Sequence, residues 1–185
     1  MNTHAHQTAA DLVNKLQPVA LERIFKTYGE ERWARRIANK IVVERAKRPV
    51  HTSKELARMV LSAVPSGWAA RQRIHPATRV FMALRIAVNQ ELDVLTAFLK
   101  TVLNYLNKKG RICILSFHSL EDRIVKQHFK QWAKGCICPP DFPVCVCGKL
   151  PQVRVLTPRV RRPGSEEVAD NPMARSTRLR AVEKL

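Results

Sequence analysis

Apolar residues recur at helical spacing through the first third of the chain. Ala9, Leu12, Val13 and Leu16 form a short stripe, and Thr8 with Asp11 reads as its capped start. Pro18 opens a second helix carrying Leu21, Ile24 and Phe25, with Gly29 as its stop. A third is predicted from Glu30 to about Lys47, on a stripe of Trp33, Ala34, Ile37, Ala38, Ile41 and Val42, with Pro49 beyond it. Thr52 and Glu55 form a second capping box ahead of Leu56, Met59, Val60 and Val64, and Pro65 ends that helix. Ser66–Ile74, with Trp68, Arg71 and Arg73, reads as a loop. Residues 1–7 are polar and are expected to be disordered. The pattern so far is that of an all-helical unit with its own apolar faces.

From Pro76 a long helical pattern runs to Leu106 through Val80, Leu84, Val88, Leu92, Leu95, Leu99 and Leu103, with a bend expected along it. The period then changes. After the turn signal Asn107-Lys108-Lys109-Gly110, residues Ile112, Cys113, Ile114 and Leu115 are apolar without interruption. Such a run predicts a strand over Arg111–Phe117 that is buried on both faces, with Cys113 in the core. Polarity returns at Ser116-Phe117-His118-Ser119. Ser119 and Asp122 have capping-box spacing, and Glu121 and Asp122 lie where the helix dipole favours negative charge. Leu120, Ile124, Val125 and Phe129 continue as a helix. Residues 134–151 are irregular. Gln152–Thr157 alternates like a strand, Arg159–Arg175 reads as a basic loop, and Thr177–Glu183 as a last short strand. Helix, buried strand, helix and two shorter strands form the tail of a doubly wound α/β fold. In such folds ligands bind beyond the carboxyl ends of the strands, where His118 stands.

Charge narrows the function. Lys and Arg number 33 against 15 Asp and Glu, a net charge of +18 over 185 residues. That excess points to a polyanionic partner, with nucleic acid first. No apolar run reaches membrane-spanning length, and the N-terminus has no signal-peptide core, so the expected compartment is the cytoplasm. The best electrostatic footprint is Arg32, Arg35, Arg36 and Lys40 on the third helix, with Arg159, Arg161 and Arg162 in the late loop. Trp68 either stacks on an unpaired base or packs against the helical unit. Arg85 either meets RNA or joins an internal pair with Asn89, while Glu91 pairs with its own surroundings.

Cys136, Cys138, Cys145 and Cys147 make a C-x-C-x6-C-x-C pattern among prolines. Two readings fit it: a structural zinc site closed by four thiolates, or a loop of free thiols.

Three ordered motifs carry a resemblance. They are Ser116-Phe117-His118-Ser119-Leu120-Glu121-Asp122-Arg123-Ile124-Val125-Lys126; His75-Pro76-Ala77-Thr78-Arg79 with Ala83 to Leu92; and Glu167 to Ser176. From about Thr8 onward the chain resembles the bacterial S-adenosylmethionine-dependent methyltransferases that modify N4 of a cytosine in 16S ribosomal RNA. The resemblance implies the C-terminal part of a Rossmann-like α/β methyltransferase fold plus an all-helical inserted domain. It divides the chain into a helical insertion at 1–74 and methyltransferase residues at 75–185, with 134–151 as a cysteine-rich loop. It implies S-adenosylmethionine as cofactor and ribosomal RNA or the small ribosomal subunit as partner. Arg32, Arg35, Arg36, His75, Arg79, Arg85, Ser116, His118 and Arg175 become the expected RNA-side residues. One family feature is missing: the six glycines offer no G-x-G-x-x-G, so no cofactor-binding residue can be named in this sequence. Nor does it identify a catalytic residue. The cofactor half is expected from outside the chain, through a partner supplying that half, and the exposed strand edge left behind invites self-association. The competing reading is a non-catalytic basic RNA-binding module.

Overall fold

The computed structural model describes residues 7–71, 74–139 and 142–185. Of the sequence expectations, those for residues 1–6 and Arg73 lie outside the described residues. Two compact units divide the chain, Met1–Glu91 and Leu92–Leu185.

The first unit is helical: α1 (Ala9–Lys15), α2 (Pro18–Thr27), α3 (Ala34–Lys47), α4 (Ser53–Ala63), α5 (Ser66–Ala70) and α6 (Ala77–Asn89). Both predicted capping boxes form. Thr8 accepts from the Asp11 N–H at 3.1 Å, and Thr52 from that of Glu55 at 3.2 Å. Leu21, Phe25, Ile37, Ile41, Val60 and Val80 are fully buried in one core, each contributing roughly 1.5–3 kcal/mol by the burial of its side chain. Asn14 exchanges two hydrogen bonds with the Val50 backbone, at 2.9 and 2.8 Å, and so pins the α3–α4 connection to α1. Arg45 donates to the carbonyls of Val13 and Leu16 at the end of α1, so this arginine is structural.

Three expectations are corrected here. First, α3 begins at Ala34, not Glu30. Glu30 is left-handed (φ 47°), and buried Glu31 accepts the Trp33 N–H at 2.9 Å, so the chain turns before it winds. Gly29 makes that turn possible: a Cβ there would stand 2.6 Å from the Phe25 carbonyl oxygen and 2.9 Å from that of Arg79. Second, residues 66–70 form the short helix α5, within the segment read as loop. Third, α6 belongs with the helices: Ala77, Val80, Ala83 and Leu84 are buried in the first core, so this unit extends to Glu91 where the sequence reading ended it at 74.

The expected bend in the long helix is a full break. Gln90 caps α6 in the left-handed region (φ 50°, ψ 37°) and α7 (Glu91–Thr101) starts afresh, followed by a 3-10 turn over Val102–Tyr105.

The second unit holds β1 (Arg111–Ser116), α8 (Ser119–Ala133), β2 (Val153–Val155), α9 (Ser165–Asp170) and β3 (Arg178–Lys184). The sheet order is β1-β3-β2, and both ladders are antiparallel. The segment expected as a last short strand is thus the centre of the sheet and its longest strand. The parallel pairing of a doubly wound sheet does not occur among the described residues. Leu99, Ile112, Val125, Phe129, Val153 and Val182 form the core between helices and sheet.

β1 is not buried on both faces. Ile112 and Ser116 are buried, whereas Cys113 is exposed and Leu115 is 55% exposed. Period-two burial replaces the expected all-buried run, and Cys113 is not a core residue. The segment read as a basic loop contains α9, a 3-10 turn over Pro172–Ser176 and a bridge from Arg161 to Leu179.

Charged side chains tie the three strands. Glu183 on β3 pairs with Arg111 of β1 at 2.9 Å and with Arg154 of β2 at 2.7 Å. These guanidiniums, Arg111 foremost, hold the Glu183 carboxyl below its ordinary value. Lys184 donates to the carbonyls of Leu103 and Leu106 at 2.7 Å each, satisfying the end of the 3-10 turn.

Candidate nucleic-acid interface

The basic face of α3 begins with Trp33, the residue before its first turn. The guanidiniums of Arg32 and Arg36 lie 5.5 and 5.4 Å from the Trp33 ring centroid, one on the preceding turn and one on the helix. Trp33 meets Trp68 edge-on at 6.2 Å, and Trp68 packs against the helical core. The packing reading of Trp68 therefore accounts for its position. Arg32, Arg35 and Arg36 are exposed and, among the described residues, none has an acidic partner within ion-pair distance. Lys40 differs, being tied to Glu44 at 2.8 Å. Arg32 and Arg36 are held by an aromatic platform, and all three guanidiniums face solvent.

The residues around α6 have local tasks. His75 Nδ1 accepts the Ala77 N–H at 3.2 Å and so closes the start of α6, a role the sequence reading did not foresee. Arg79 is half-buried and reaches the Glu30 carbonyl at 3.5 Å. Arg85 forms a two-pronged pair with Glu91, at 2.9 and 3.0 Å, so its pairing is internal but its partner is Glu91 where the sequence reading put Asn89.

At the end of β1 the helix cap falls one residue earlier than predicted. His118, not Ser119, is the capping residue of α8 (φ −141°, ψ 168°). Its Nδ1 accepts the Glu121 N–H at 3.4 Å, and the Glu121 carboxylate accepts from the N–H groups of Phe117 (2.8 Å) and His118 (3.3 Å). Nδ1 as acceptor puts the ring proton on Nε2, which faces Glu121 Oε1 at 3.4 Å. The His118 side chain is only 8% exposed. Beside it, the buried hydroxyls of Ser116 and Thr177 have no hydrogen-bond partner among the described residues. Ser116 is paired in register with Arg178, so both hydroxyls lie at one end of the β1–β3 ladder.

Asp122 is freed from capping and does something else. It is buried and receives Arg180 at 2.7 and 3.2 Å and Arg178 at 3.2 Å. Burial alone would raise its pKa, but the hydrogen bonds and charge of Arg180, then Arg178, hold it below the ordinary carboxylate value. Sequence reasoning missed this cluster. Its signal was Arg178-x-Arg180, two cations on one face of a strand.

A second missed feature is a groove of about 460 Å³ with Phe129, Ala133, Val155 and Pro158 on its walls and Lys126, Lys130, Lys134 and Arg180 around them. The three lysines are four residues apart along α8, a row that was visible in the sequence. Arg175 is exposed in the Pro172–Ser176 turn.

The four cysteines of the 134–151 segment converge. Their sulfurs all lie within 4.8 Å of one another. Pro140, part of the pattern that drew attention to the segment, lies outside the described residues.

A family profile described as the MraW methylase family matches residues 1–185. Among curated proteins, the chain is 56% identical over 178 residues to the ribosomal RNA small subunit methyltransferase H of Desulfosudis oleivorans, covering 96% of this chain and 57% of that protein. It is 54% identical over 185 residues to the protein of the same name from Geobacter sulfurreducens, covering 100% of this chain and 59% of the relative. The chain thus spans just under three fifths of the length of these relatives.

Proposed function

Because the chain belongs to the MraW methylase family, we propose that it is the RNA-facing portion of an S-adenosylmethionine-dependent enzyme that methylates N4 of a cytosine in 16S ribosomal RNA. The fold reading that goes with it is a helical insertion next to the C-terminal part of a Rossmann-like domain, acting in the cytoplasm. The observation that carries the proposal is the basic surface, a net charge of +18 with Arg32, Arg35 and Arg36 exposed on and beside α3. Among the described residues no helix is long and apolar enough to cross a membrane.

The cofactor would supply the methyl group to the exocyclic amine of a base taken out of its stack. The residues present do not by themselves fit it. No G-x-G-x-x-G occurs, and the turn after β1 is closed by His118 and Glu121. The chain's own contribution is on the RNA side. Arg32, Arg35 and Arg36 contact phosphates, which fixes position without reading sequence. The lysine-rimmed groove suits a phosphate at its cationic edge and a base on its apolar wall. Exposed Arg175 and half-buried Arg79 add to the phosphate-facing charge.

The test is a salt titration of binding to a 16S ribosomal RNA fragment. Replacing Arg32, Arg35 and Arg36 by Ala should flatten the log–log salt slope by about 2, at roughly 0.7 per phosphate on single-stranded RNA. The loss should be similar for unrelated RNA sequences. Unchanged affinity, or loss confined to one sequence, overturns the phosphate-contact reading. The non-catalytic module shares this surface and differs in the reaction, so it is separated by assaying methyl transfer with the full-length relative's cofactor half added.

A further inference from the structure

We propose that Cys136, Cys138, Cys145 and Cys147 hold a structural zinc ion that clips together the segment between α8 and β2. The distances fit a tetrahedral tetrathiolate. With a zinc–sulfur bond of about 2.3 Å, the sulfurs of a regular tetrahedron stand about 3.8 Å apart. Here Cys145 Sγ and Cys147 Sγ are 3.6 Å apart, Cys147 Sγ and Cys136 Sγ 3.8 Å, and no pair among the four exceeds 4.8 Å.

The backbone supports the same arrangement. The Ile137 N–H donates to Cys147 Sγ at 3.4 Å, and the Cys138 N–H to Cys136 Sγ at 3.4 Å. Both N–H groups turn the backbone toward the sulfur cluster. All four ligands come from protein and none is left over, so the site is closed and structural rather than catalytic.

Among the described residues of the segment, apolar packing is slight. Its apolar side chains point outward: Ile137 is 56%, Val144 70% and Val146 74% exposed. Burial therefore contributes little to fixing residues 136–147, and four convergent sulfurs without a bound ion would gain little from meeting. A metal supplies the missing cross-link, joining the first C-x-C pair to the second across a turn.

The experiment uses the whole chain, produced under reducing, zinc-replete conditions. Metal analysis should give about one zinc per chain. Four of the five thiols should resist alkylation until a chelator is added, and cobalt substitution should give the absorption of a tetrahedral thiolate site. Cys136→Ser with Cys147→Ser should abolish stoichiometric zinc, whereas Cys113→Ser, on the exposed face of β1, should retain it. Hydrogen exchange in α2 and α3 serves as the folding control, since those helices have a separate core. Metal-free protein with reactive thiols, disulfides in place of thiols, or zinc retained in the double variant would each overturn the proposal.

Discussion

Asp122→Asn is the most informative single change in the second unit. The substitution keeps size and shape but removes the one negative charge between two guanidiniums. Asp122 and Arg180 are both nearly enclosed, with side chains 10% and 12% exposed, while Arg178 is 31% exposed. Taking one partner from a buried pair costs roughly 3–5 kcal/mol. Partial exposure of Arg178 and the amide oxygen that remains place this case at the low end, about 3 kcal/mol. That corresponds to roughly 150-fold faster hydrogen exchange wherever exchange requires opening of this cluster. Peptides from α8 and β3 should show it, and those from α2 and α3 should not. The difference also has a pH signature. The Asp122 carboxyl titrates lower folded than unfolded, so its contribution is present above the unfolded value of about 3.9 and is lost as pH falls through the folded value. Parent and variant should therefore converge in acid. Wild-type exchange in α8 and β3 at neutral pH, or equal acceleration in the helical unit, would refute the reasoning.

Three further outcomes are expected. His118→Asn should leave stability within a few tenths of a kcal/mol, because Asn also caps, whereas His118→Ala should cost about 1 kcal/mol in urea unfolding; a folded Asn variant that loses RNA binding would show His118 acting on substrate. Calorimetry of this chain with S-adenosylmethionine should show no binding, since the sequence has no glycine-rich loop, and micromolar affinity would contradict that. Light scattering should reveal concentration-dependent association through the open edge and exposed face of β1, suppressed by Leu115→Lys; a strictly monomeric parent would remove that edge from consideration.

The helices were legible because their information is local. Thr8 with Asp11 and Thr52 with Glu55 close their boxes within four residues, and α1, α2 and α4 lie where the sequence places them. Errors arose where a residue's task depends on distant partners. Asp122 reads as a capping acid beside Ser119, but the arginines that claim it are 56 and 58 positions away. That claim moves the cap to His118 and Glu121. Gln90 breaks a helix without glycine or proline to announce it. The apolar run of β1 cannot say how many of its faces are covered, because coverage depends on what packs there. Of the expected RNA-side residues, Arg32, Arg35, Arg36 and Arg175 are exposed and Arg79 is half-buried, whereas His75, Arg85 and His118 hold local structure. The cysteine pattern drew attention to its segment, and the structure adds the convergence of the sulfurs.

The sheet order sets a timetable for folding. Among the described residues, β1 and β2 each pair with β3 and not with one another, so these two ladders form only once residues 178–184 exist. Arg111 must find Glu183 across 72 positions, while Arg154 reaches it across 29. Closing the shorter loop first costs less chain entropy, which favours β2–β3 as the nucleus and β1 as the late addition. During synthesis the helical unit, whose pairings are complete by Glu91, can fold while the second unit is still being made. Until β3 leaves the ribosome, β1 lacks the strand that pairs with it here, so the last residues of the unit decide when that edge is covered.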